Sequence, residues 1–357
     1  MWSNQQEEAL KDIQEWYKNG DKQVYRLFGY AGVGKTYIAS EIANIARIVL
    51  YGAYTGKAAH VMRSKGCKNA STIHSLIYTP VEEEDKTKPP RFILNQDSAV
   101  RNADLVIIDE VSMVGEKVGK DLLSFGTKIL VLGDPAQLPP IYGEGFFTNH
   151  KPDFMLTEVH RQAWDNPIIA LSMAVRNGIE LKYGDYGGSK IISRKNLTND
   201  MLLKTDQVIV GLNKTRRNYN SYIRKLLGRK NYIPEIGDKL VCLKNENNIG
   251  IFNGSIWETK KVNFEKDKFR LLIENEDNQT NVKVHKNFFD GTENIPWNIK
   301  NSSHEFDYGY ALTCHKSQGS QWDNVLIFNE SSIFKENRMN WEYTAITRAA
   351  HDIILIK

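Results

Sequence analysis

The chain has 357 residues, of which 41% are hydrophobic and 25% charged, and a formal net charge of +4. It is too long for one hydrophobic core, so we expect at least two domains, and no apolar run reaches the roughly 18 residues of a membrane span. The weak positive charge permits a polyanionic partner but does not demand one. Three widely spaced cysteines without a C-x-x-C pattern exclude a zinc ribbon and favour a reducing cytoplasm, and the polar N-terminus excludes a signal peptide.

The first predicted elements frame a glycine-rich loop. Residues 24–28 form a predicted strand, the sequence GYAGVGKT follows over residues 29–36, and a helical run covers residues 37–48. This order of strand, loop and helix is the context that the phosphate-binding pattern G-x-x-x-x-G-K-[ST] requires. Glycines let backbone N–H groups curl around phosphate at the positive end of the helix dipole. We expect Lys35 to reach the β- and γ-phosphates of ATP and the Thr36 hydroxyl to ligate Mg²⁺.

A second strand ends in two acidic residues. The sequence DLVIIDEVSM covers residues 104–113, and its apolar part, residues 105–108, suits a parallel strand buried on both faces. Asp109 and Glu110 then lie at the carboxyl end of that strand, where ligands bind in open α/β sheets. We expect Asp109 to hold Mg²⁺ through water and Glu110 to orient and deprotonate an attacking water.

A third strand also ends in polar residues. The sequence KILVLGDPAQLPP covers residues 128–140 and places Gln137 just after the strand. Gln137 is a candidate sensor of the γ-phosphate or its water, although a glutamine in a proline-rich loop is more often only solvated. Three strands that end in GKT, DE and GDxxQ together favour the sensor.

One short polar stretch near the C-terminus allows three interpretations. The sequence LTCHKSQGSQ, residues 312–321, holds a thiol, an imidazole, an ammonium, hydroxyls and amides. It fits a Cys–His nucleophile, a metal site, or a groove that grips another polymer. In an extended segment the adjacent side chains of Cys314 and His315 point to opposite faces, which disfavours a catalytic dyad, and no further ligand cluster supports a metal.

The loop, the acidic pair and the GDPAQ segment (residues 133–137) resemble motifs I, II and III of superfamily 1 helicases. In sequence and spacing they look most like those of the RecD/Dda branch. Further stretches agree in the family's order. They are Gln6 as the adenine-reading glutamine, TGKAA (55–59) as motif Ia, ASTIHS (70–75) as the next strand-contacting motif, LTEVHR (156–161) as motif IV, the 312–321 stretch as motif V and YTAITR (343–348) as motif VI.

The resemblance implies an α/β fold of two RecA-like P-loop NTPase domains, each a parallel sheet flanked by helices, with ATP in the cleft between them. The first domain, 1A, would cover residues 1–78 and 98–160, with a minimal 1B insertion over residues 79–97. The second domain, 2A, would cover residues 161–232 and 301–357. Short strand candidates and a hairpin-type turn at residues 252–255 predict a small all-β insertion over residues 233–300. By resemblance to this branch, the insertion would be the SH3-like 2B domain.

The resemblance also implies the site residues. Lys35, Glu110 and Gln137 would act in ATP hydrolysis, with Arg161 and Arg348 as arginine fingers from the second domain. The full set implied to contact ATP is Gln6, Gly29, Ala31, Gly32, Val33, Gly34, Lys35, Thr36, Tyr37, Asp109, Glu110, Gln137, Arg161, Gly319 and Arg348, with Thr36 and Asp109 at Mg²⁺. The set implied to contact nucleic acid is Thr55, Lys57, Thr72, His74, Thr313, His315 and Lys316.

The implied activity is an ATP-dependent DNA helicase that moves 5′→3′ on single-stranded DNA and opens forked duplex DNA, as a soluble, cytoplasmic monomer. A replication, recombination or single-strand-binding protein is a further implied partner. Phe146, Phe147 and Trp322 are candidates to stack on bases or to fill the core. The short 1B segment favours one alternative, a translocase that remodels protein–DNA complexes with weak unwinding. A RecD-like regulatory subunit of a larger complex is the other.

Overall fold

The computed structural model describes residues 2–85, 88–158 and 166–357. Two six-stranded sheets organise the two halves of the chain, and a five-stranded sheet and a two-stranded hairpin are inserted into them. This confirms the predicted α/β class with mainly parallel central sheets. No helix in the described ranges combines the length and the apolarity that a membrane crossing needs.

The first half is built around a fully parallel sheet. The strands of this half are β1 (Val24–Gly29), β2 (Val49–Ala53), β3 (Ser71–Thr72), β4 (Tyr78–Val81), β5 (Arg91–Leu94), β6 (Leu105–Asp109), β7 (Ile129–Gly133) and β8 (Phe154–Leu156). Strands β4 and β5 lie outside the parallel sheet. The helices of this half are α1 (Asn4–Asn19), α2 (Lys35–Ile42), α3 (Gly56–Ser64), α4 (Ile73–Ile77) and α5 (Glu116–Leu123). The strand order is β3-β2-β6-β7-β1-β8, so the strands that carry GKT, DE and GDPAQ are neighbours at the centre of the sheet.

Both faces of this sheet are covered, as the apolar strands predict. Along β1, Tyr25 and Leu27 belong to one buried cluster, whereas Val24 and Phe28 belong to the cluster on the opposite face. Alternate residues of a strand point to opposite faces, so a continuous apolar strand requires cover on both. Phe147 is fully buried in the second of these clusters, so it is a core residue and not a base-stacking one.

The second half repeats this plan. Its strands are β9 (Gly184–Tyr186), β10 (Ser189–Ile192), β11 (Gln207–Val210), β12 (Lys239–Cys242), β13 (Ile256–Glu265), β14 (Lys268–Glu274), β15 (Gln279–His285), β16 (Phe306–Tyr308), β17 (Ala311–Thr313), β18 (Trp322–Phe328) and β19 (Ala349–Ile356). Its helices are α6 (Pro167–Arg176), α7 (Asn199–Lys204), α8 (Asn213–Leu226), α9 (Trp297–Asn301), α10 (Cys314–Ser317) and α11 (Arg338–Ile346). The central sheet has the order β17-β11-β18-β19-β10-β9, and only the pair of β9 with β10 is antiparallel.

An antiparallel sheet, with the order β15-β14-β13-β12-β16, forms the insertion into the second half. Trp257, Phe269 and Phe306 are buried in its core. Strand β16 lies beyond residue 300, where the sequence places the end of the insertion, because its register with β12 is set by long-range pairing. The likeness to an SH3 barrel stays a prediction.

The predicted local elements differ from the structure in two places. Helix α2 ends at Ile42 and a 3-10 turn follows, so the helix predicted over residues 37–48 is too long. The Asn253-Gly254 turn closes with a hydrogen bond from the Ser255 N–H to the Phe252 carbonyl at 2.9 Å, but it leads into β13 and is not a tight hairpin. In the first half, β4 and β5 pair as the short antiparallel hairpin of the predicted 1B region.

Candidate nucleotide cleft and nucleic-acid channel

The loop after β1 has the backbone that phosphate binding requires. Gly32 and Gly34 have φ angles of +82° and +81°, in the left-handed region that favours glycine. The Lys35 ammonium donates hydrogen bonds to the carbonyls of Gly29 and Tyr30 at 2.6 and 2.9 Å. The lysine therefore folds over the loop, and its contact with a phosphate stays a prediction.

Two oxygens at the ends of neighbouring elements fit a hard divalent cation. The Thr36 hydroxyl donates to Asp109 Oδ2 at 2.9 Å, and Asp109 Oδ1 accepts from the Glu110 N–H at 2.8 Å. Hydroxyl and carboxylate oxygens are groups that Mg²⁺ accepts, so Thr36 as a ligand and Asp109 through water fit the predicted Mg²⁺ site. Glu110 has φ +54°, a left-handed conformation that turns its side chain away from the strand direction.

The cleft brings opposite charges together, with Asp134 and Arg348 buried and Lys35 and Glu110 half-buried. Desolvation raises the pKa of the Glu110 carboxyl, and the neighbouring Asp109 raises it further, while Arg348 and Lys35 oppose the shift. Burial also raises the pKa of Asp134, against the opposing charge of Lys35. A carboxyl with a raised pKa and a cation nearby is typical of a group that accepts a proton during a reaction.

Arg348 reaches this cleft from the second half of the chain. It is 6% exposed, and its guanidinium donates to the carbonyls of Thr344 and Ser320 at 3.0 and 3.1 Å and to the Thr347 hydroxyl at 3.2 Å. Within the described ranges no carboxylate lies at ion-pair distance from it, so its charge is available to a ligand. The other predicted finger, Arg161, lies outside the described residues.

Tyr343 joins the two halves across the cleft. Its hydroxyl accepts a hydrogen bond from the Ala31 N–H of the phosphate loop at 2.9 Å and donates one to Asp134 Oδ2 at 2.7 Å. The side chain is 1% exposed. Sequence reasoning missed this role, although Tyr343 opens the stretch that resembles motif VI.

The loop after β7 is held by the same helix, α11. The Asn340 amide donates to the Gln137 carbonyl at 3.1 Å, and the Thr344 hydroxyl accepts from the Leu138 N–H at 2.8 Å. Residues 340, 343 and 344 share one helix face, which explains why one helix makes all these contacts. The Gln137 amide oxygen is 3.5 Å from the Ser112 hydroxyl. Gln137, the predicted sensor, is therefore buried where the loop after β7 contacts α11.

Gln6 and Tyr37 lie on either side of the phosphate loop. The Gln6 amide donates to the Val33 carbonyl at 3.0 Å and accepts from the Ser3 N–H at 3.0 Å, so it braces the loop. Its contact with adenine stays a prediction. Tyr37 is 66% exposed beside Trp2, with 5.3 Å between the ring centroids.

A cavity of about 750 Å³ runs between the two halves and the insertion, and six of the seven predicted nucleic-acid residues meet on it or at its edge. The lining includes Thr55, Lys57, His74, Thr313, His315 and Lys316. Thr72, the seventh, precedes α4, whose His74 lines the cavity. We call this space the channel.

The predicted threonines Thr55, Thr72 and Thr313 share a local role. Each is the N-cap of a helix, and its hydroxyl accepts from the backbone N–H three residues further on, at 3.1, 3.2 and 3.3 Å respectively. A hydroxyl keeps a second lone pair and its own proton after capping. Their contact with nucleic acid stays a prediction.

The channel cations are partly removed from water. Burial lowers the pKa of both Lys57 and Lys316, and the Lys57 ammonium lies 5.3 Å from the ring centroid of Trp322. The Lys316 ammonium donates to the Asn253 amide oxygen of the insertion. Cations whose hydration is already reduced bind phosphate at a smaller further desolvation cost.

The insertion also meets the first half beside the channel. The Phe252 ring stacks on His60 with 5.3 Å between centroids and lies 5.1 Å from the Arg63 guanidinium. His60 Nε2 is 3.2 Å from Asp277 Oδ2 of the same insertion. We call this contact, of Phe252 with His60 and Arg63, the clasp.

Comparison with known families and structures is consistent with this geometry. The AAA domain family matches residues 1–193, more than half of the chain, and the UvrD-like helicase C-terminal domain matches residues 308–356. The chain belongs to the AAA domain family.

Two curated relatives of this family member cover most of the chain. The ATP-dependent RecD2 DNA helicase of Deinococcus radiodurans is 29% identical over 90% of this chain and 45% of its own length. The conjugal transfer protein TraA of Agrobacterium fabrum is 24% identical over 94% of this chain and 31% of its own length. The chain thus spans less than half the length of these relatives.

Two solved structures share the fold of this family member. Bacteroides Pif1 bound to single-stranded DNA has a TM-score of 0.60 and 18% identity, over 99% of this chain and 92% of that one. Pif1 helicase of Candida albicans has a TM-score of 0.58 and 17% identity, over 99% of this chain and 94% of that one. At such identities the likeness establishes the fold, which bears out the two RecA-like domains.

The motif V stretch of this family member is neither a nucleophile nor an extended segment. Residues 314–317 form the helical turn α10, so the extended geometry assumed from the sequence is wrong. The conclusion against a dyad stands, because Cys314 is fully buried and burial raises the pKa of its thiol to about 12. Among the described residues, no group of three or more His, Cys, Asp or Glu side chains is arranged to hold a metal.

Gly319 packs against α3, and its contact with the nucleotide stays a prediction. It has φ +74°, and a Cβ there would lie 3.2 Å from the Thr55 hydroxyl and 3.4 Å from Ala58 Cβ. The glycine therefore allows close packing on α3, beside the channel. Gln318 contacts the loop after β7, since its amide donates to the Leu138 carbonyl at 3.1 Å.

Sequence reasoning also missed two exposed residues at the channel. Ile141 and Tyr142 line it and are 70% and 90% exposed. The signal was present in the sequence, because two prolines end the loop after β7 and an apolar pair follows. Such a pair in a solvated loop is a candidate to contact bases.

Proposed function

We propose that the chain is an ATP-driven motor that moves along single-stranded DNA and unwinds forked duplex DNA. One observation carries this proposal: Gln318 and Ser320 belong to both sites. Gln318 and Ser320 line the channel, while the Gln318 amide binds the Leu138 carbonyl and the Ser320 carbonyl accepts from Arg348. A change at the nucleotide is therefore transmitted to the strand through direct contacts.

The proposed hydrolysis uses residues that converge on the cleft. Lys35 and the loop N–H groups bind the phosphates, and Glu110 accepts the proton of the attacking water. Thr36 and Asp109 would hold Mg²⁺, which would supply positive charge beside the phosphates. Arg348, with Arg161, stabilises the charge that develops on the transferred phosphoryl group.

The proposed track is single-stranded DNA in the channel, with movement 5′→3′ and a monomer as the working unit. The relatives support DNA as the track, since the Deinococcus protein is a DNA helicase and the Bacteroides Pif1 is bound to single-stranded DNA. The polarity rests on resemblance to the RecD/Dda branch. Forked duplex and a replication or recombination protein are further proposed partners.

ATPase and unwinding assays test the proposal. Single-stranded DNA is expected to stimulate ATP hydrolysis severalfold, and Lys35→Ala to abolish turnover while the fold is kept. Lys22→Ala is a matched control, because Lys22 is an exposed lysine paired with Asp153 on the surface. A duplex with a 5′ tail should be unwound and one with a 3′ tail should not. Absence of stimulation by DNA in the wild type would refute the motor.

A second candidate is a translocase that opens duplexes weakly. The hairpin of the 1B region supports it, since β4 and β5 have only four residues each. Strand separation is supported instead by Phe92 and Ile93 of the same hairpin, which are 54% and 44% exposed and suit contact with a base pair. DNA-stimulated hydrolysis with displacement of a bound protein but no strand separation would favour the translocase.

A further inference from the structure

A second cavity, of about 600 Å³, lies outside the cleft and separate from the predicted nucleic-acid residues. One wall is α8, and the other is the loop over residues 288–295 of the insertion together with α9. Arg216 and Leu243 line both this cavity and the channel, so the two spaces adjoin. We call this cavity the α8 groove.

Helix α8 forms a continuous wall from the channel into the groove. Asn213 and Arg216 line the channel, and Arg216, Asn220 and Arg224 line the groove. These positions are spaced by three or four residues and therefore share one face of the helix. With a rise of 1.5 Å per residue, α8 is about 21 Å long, the span of about six stacked nucleotides at 3.4 Å each.

The lining of the groove is more basic than acidic. Seven Arg and Lys side chains line it against four carboxylates, namely Arg216, Arg217, Arg224, Lys225, Arg229, Lys230 and Lys300 against Asp290, Glu293, Glu305 and Asp307. This excess of positive charge favours a polyanionic ligand over a neutral or apolar one.

The arginines of the groove form ion pairs with carboxylates, whereas its lysines can bind a ligand. Arg224 and Arg229 bind the buried Asp238 at 3.0 and 2.8 Å. Within the described part of the chain, Lys225, Lys230 and Lys300 have no carboxylate at ion-pair distance. Three uncompensated ammonium groups on two facing walls form a site for successive phosphates.

We propose that the α8 groove binds the phosphodiester backbone of the single strand where that strand continues beyond the channel. The occupant is the same strand, because the groove adjoins the channel at Arg216 and Leu243 and carries the matching charge. Tyr232, 43% exposed in the lining, adds a face on which a base stacks. This inference rests on the proposed function, since it needs a strand in the channel.

The test is a length series of fluorescent oligothymidylates, from about 6 to about 16 nucleotides, bound by the full chain. Wild-type affinity should rise as the oligonucleotide outgrows the channel. Lys225→Glu with Lys230→Glu should remove about tenfold in affinity from the long oligonucleotides and leave the short ones within about twofold. For long oligonucleotides, the slope of log affinity against log salt concentration should become shallower by about 1.4. This is about 0.7 for each of the two lost phosphate contacts.

Matched variants keep the test decisive. Lys214→Glu lies on the same helix but lines neither cavity, and it should bind every length like the wild type. Lys300→Glu changes the opposite wall and should repeat the length-dependent loss. An equal loss at all lengths, or no loss at any length, would overturn the proposal. Failure of the proposed function looks different, since the wild type would then show no DNA-stimulated hydrolysis.

Discussion

Removal of one hydroxyl group, by Tyr343→Phe, isolates the contact that joins the two halves across the nucleotide cleft. The ring stays to fill its buried site, while two hydrogen bonds are lost, one from the Ala31 N–H and one to the Asp134 carboxyl. A bond to a charged group contributes about 1.5–3 kcal/mol and a neutral one about 0.5–1.5 kcal/mol. The loss in the free energy of cleft closure is therefore about 2–4.5 kcal/mol.

The expected kinetic effect follows from this range. Water that enters the site recovers part of the loss, so we take its lower end, about 2 kcal/mol, or about 30-fold. With saturating single-stranded DNA, kcat/KM for ATP should fall by about that factor. Tyr186→Phe is the matched control, because its hydroxyl donates only to the Lys182 carbonyl within the second half, at 2.9 Å, and it should stay within about twofold.

A double-mutant cycle decides whether the contact itself is responsible. Asp134→Asn weakens the acceptor of the Tyr343 hydroxyl, so Tyr343→Phe should cost less in that background than alone. Two results would refute the reasoning: kcat/KM within about threefold of wild type in the single variant, or fully additive effects in the cycle. Circular dichroism and thermal melting of each variant check that the fold is retained.

The remaining predictions concern the cleft, the insertion and the clasp. Glu110→Gln should lower turnover by about 10²–10⁴-fold and yet raise the melting temperature at neutral pH. Desolvation raises the pKa of the Glu110 carboxyl in the folded chain above its ordinary 4.5. The contribution of the protonated carboxyl to the free energy of unfolding is therefore fully present below pH 4.5 and is lost as the pH rises through the folded-state pKa. The gain from Gln should therefore vanish in melts at acidic pH, and a gain that is constant with pH would contradict this. Asp238→Ala should lower the free energy of unfolding by about 3–5 kcal/mol in urea titrations, because Arg224 is left buried without its carboxylate; a loss under about 1 kcal/mol would contradict it. Phe252→Ala, which opens the clasp, should speed both association and dissociation of DNA in stopped-flow experiments, and unchanged rates would show that the clasp does not limit access to the channel.

The sequence determined the nucleotide-binding half of the cleft to a large extent. The strands that precede GKT, DE and GDPAQ lie side by side as β1, β6 and β7, because parallel apolar strands present their carboxyl ends at one edge of a sheet. The positive φ angles of Gly32 and Gly34 follow from the loop itself. These are local consequences of residue type and spacing, which a linear pattern can encode.

The tertiary structure decided what the polar residues do once the halves meet. The predicted threonines cap helices, Gln6 braces the phosphate loop, and Gly319 packs on α3, although each residue sits in the motif that the sequence indicated. The Tyr343 bridge and the α8 groove have no local signature. Both join residues far apart in the chain, and their partners are fixed by how the sheets pack against each other and against the insertion. Contacts of that range depend on the summed packing of whole elements, which no single stretch of sequence specifies.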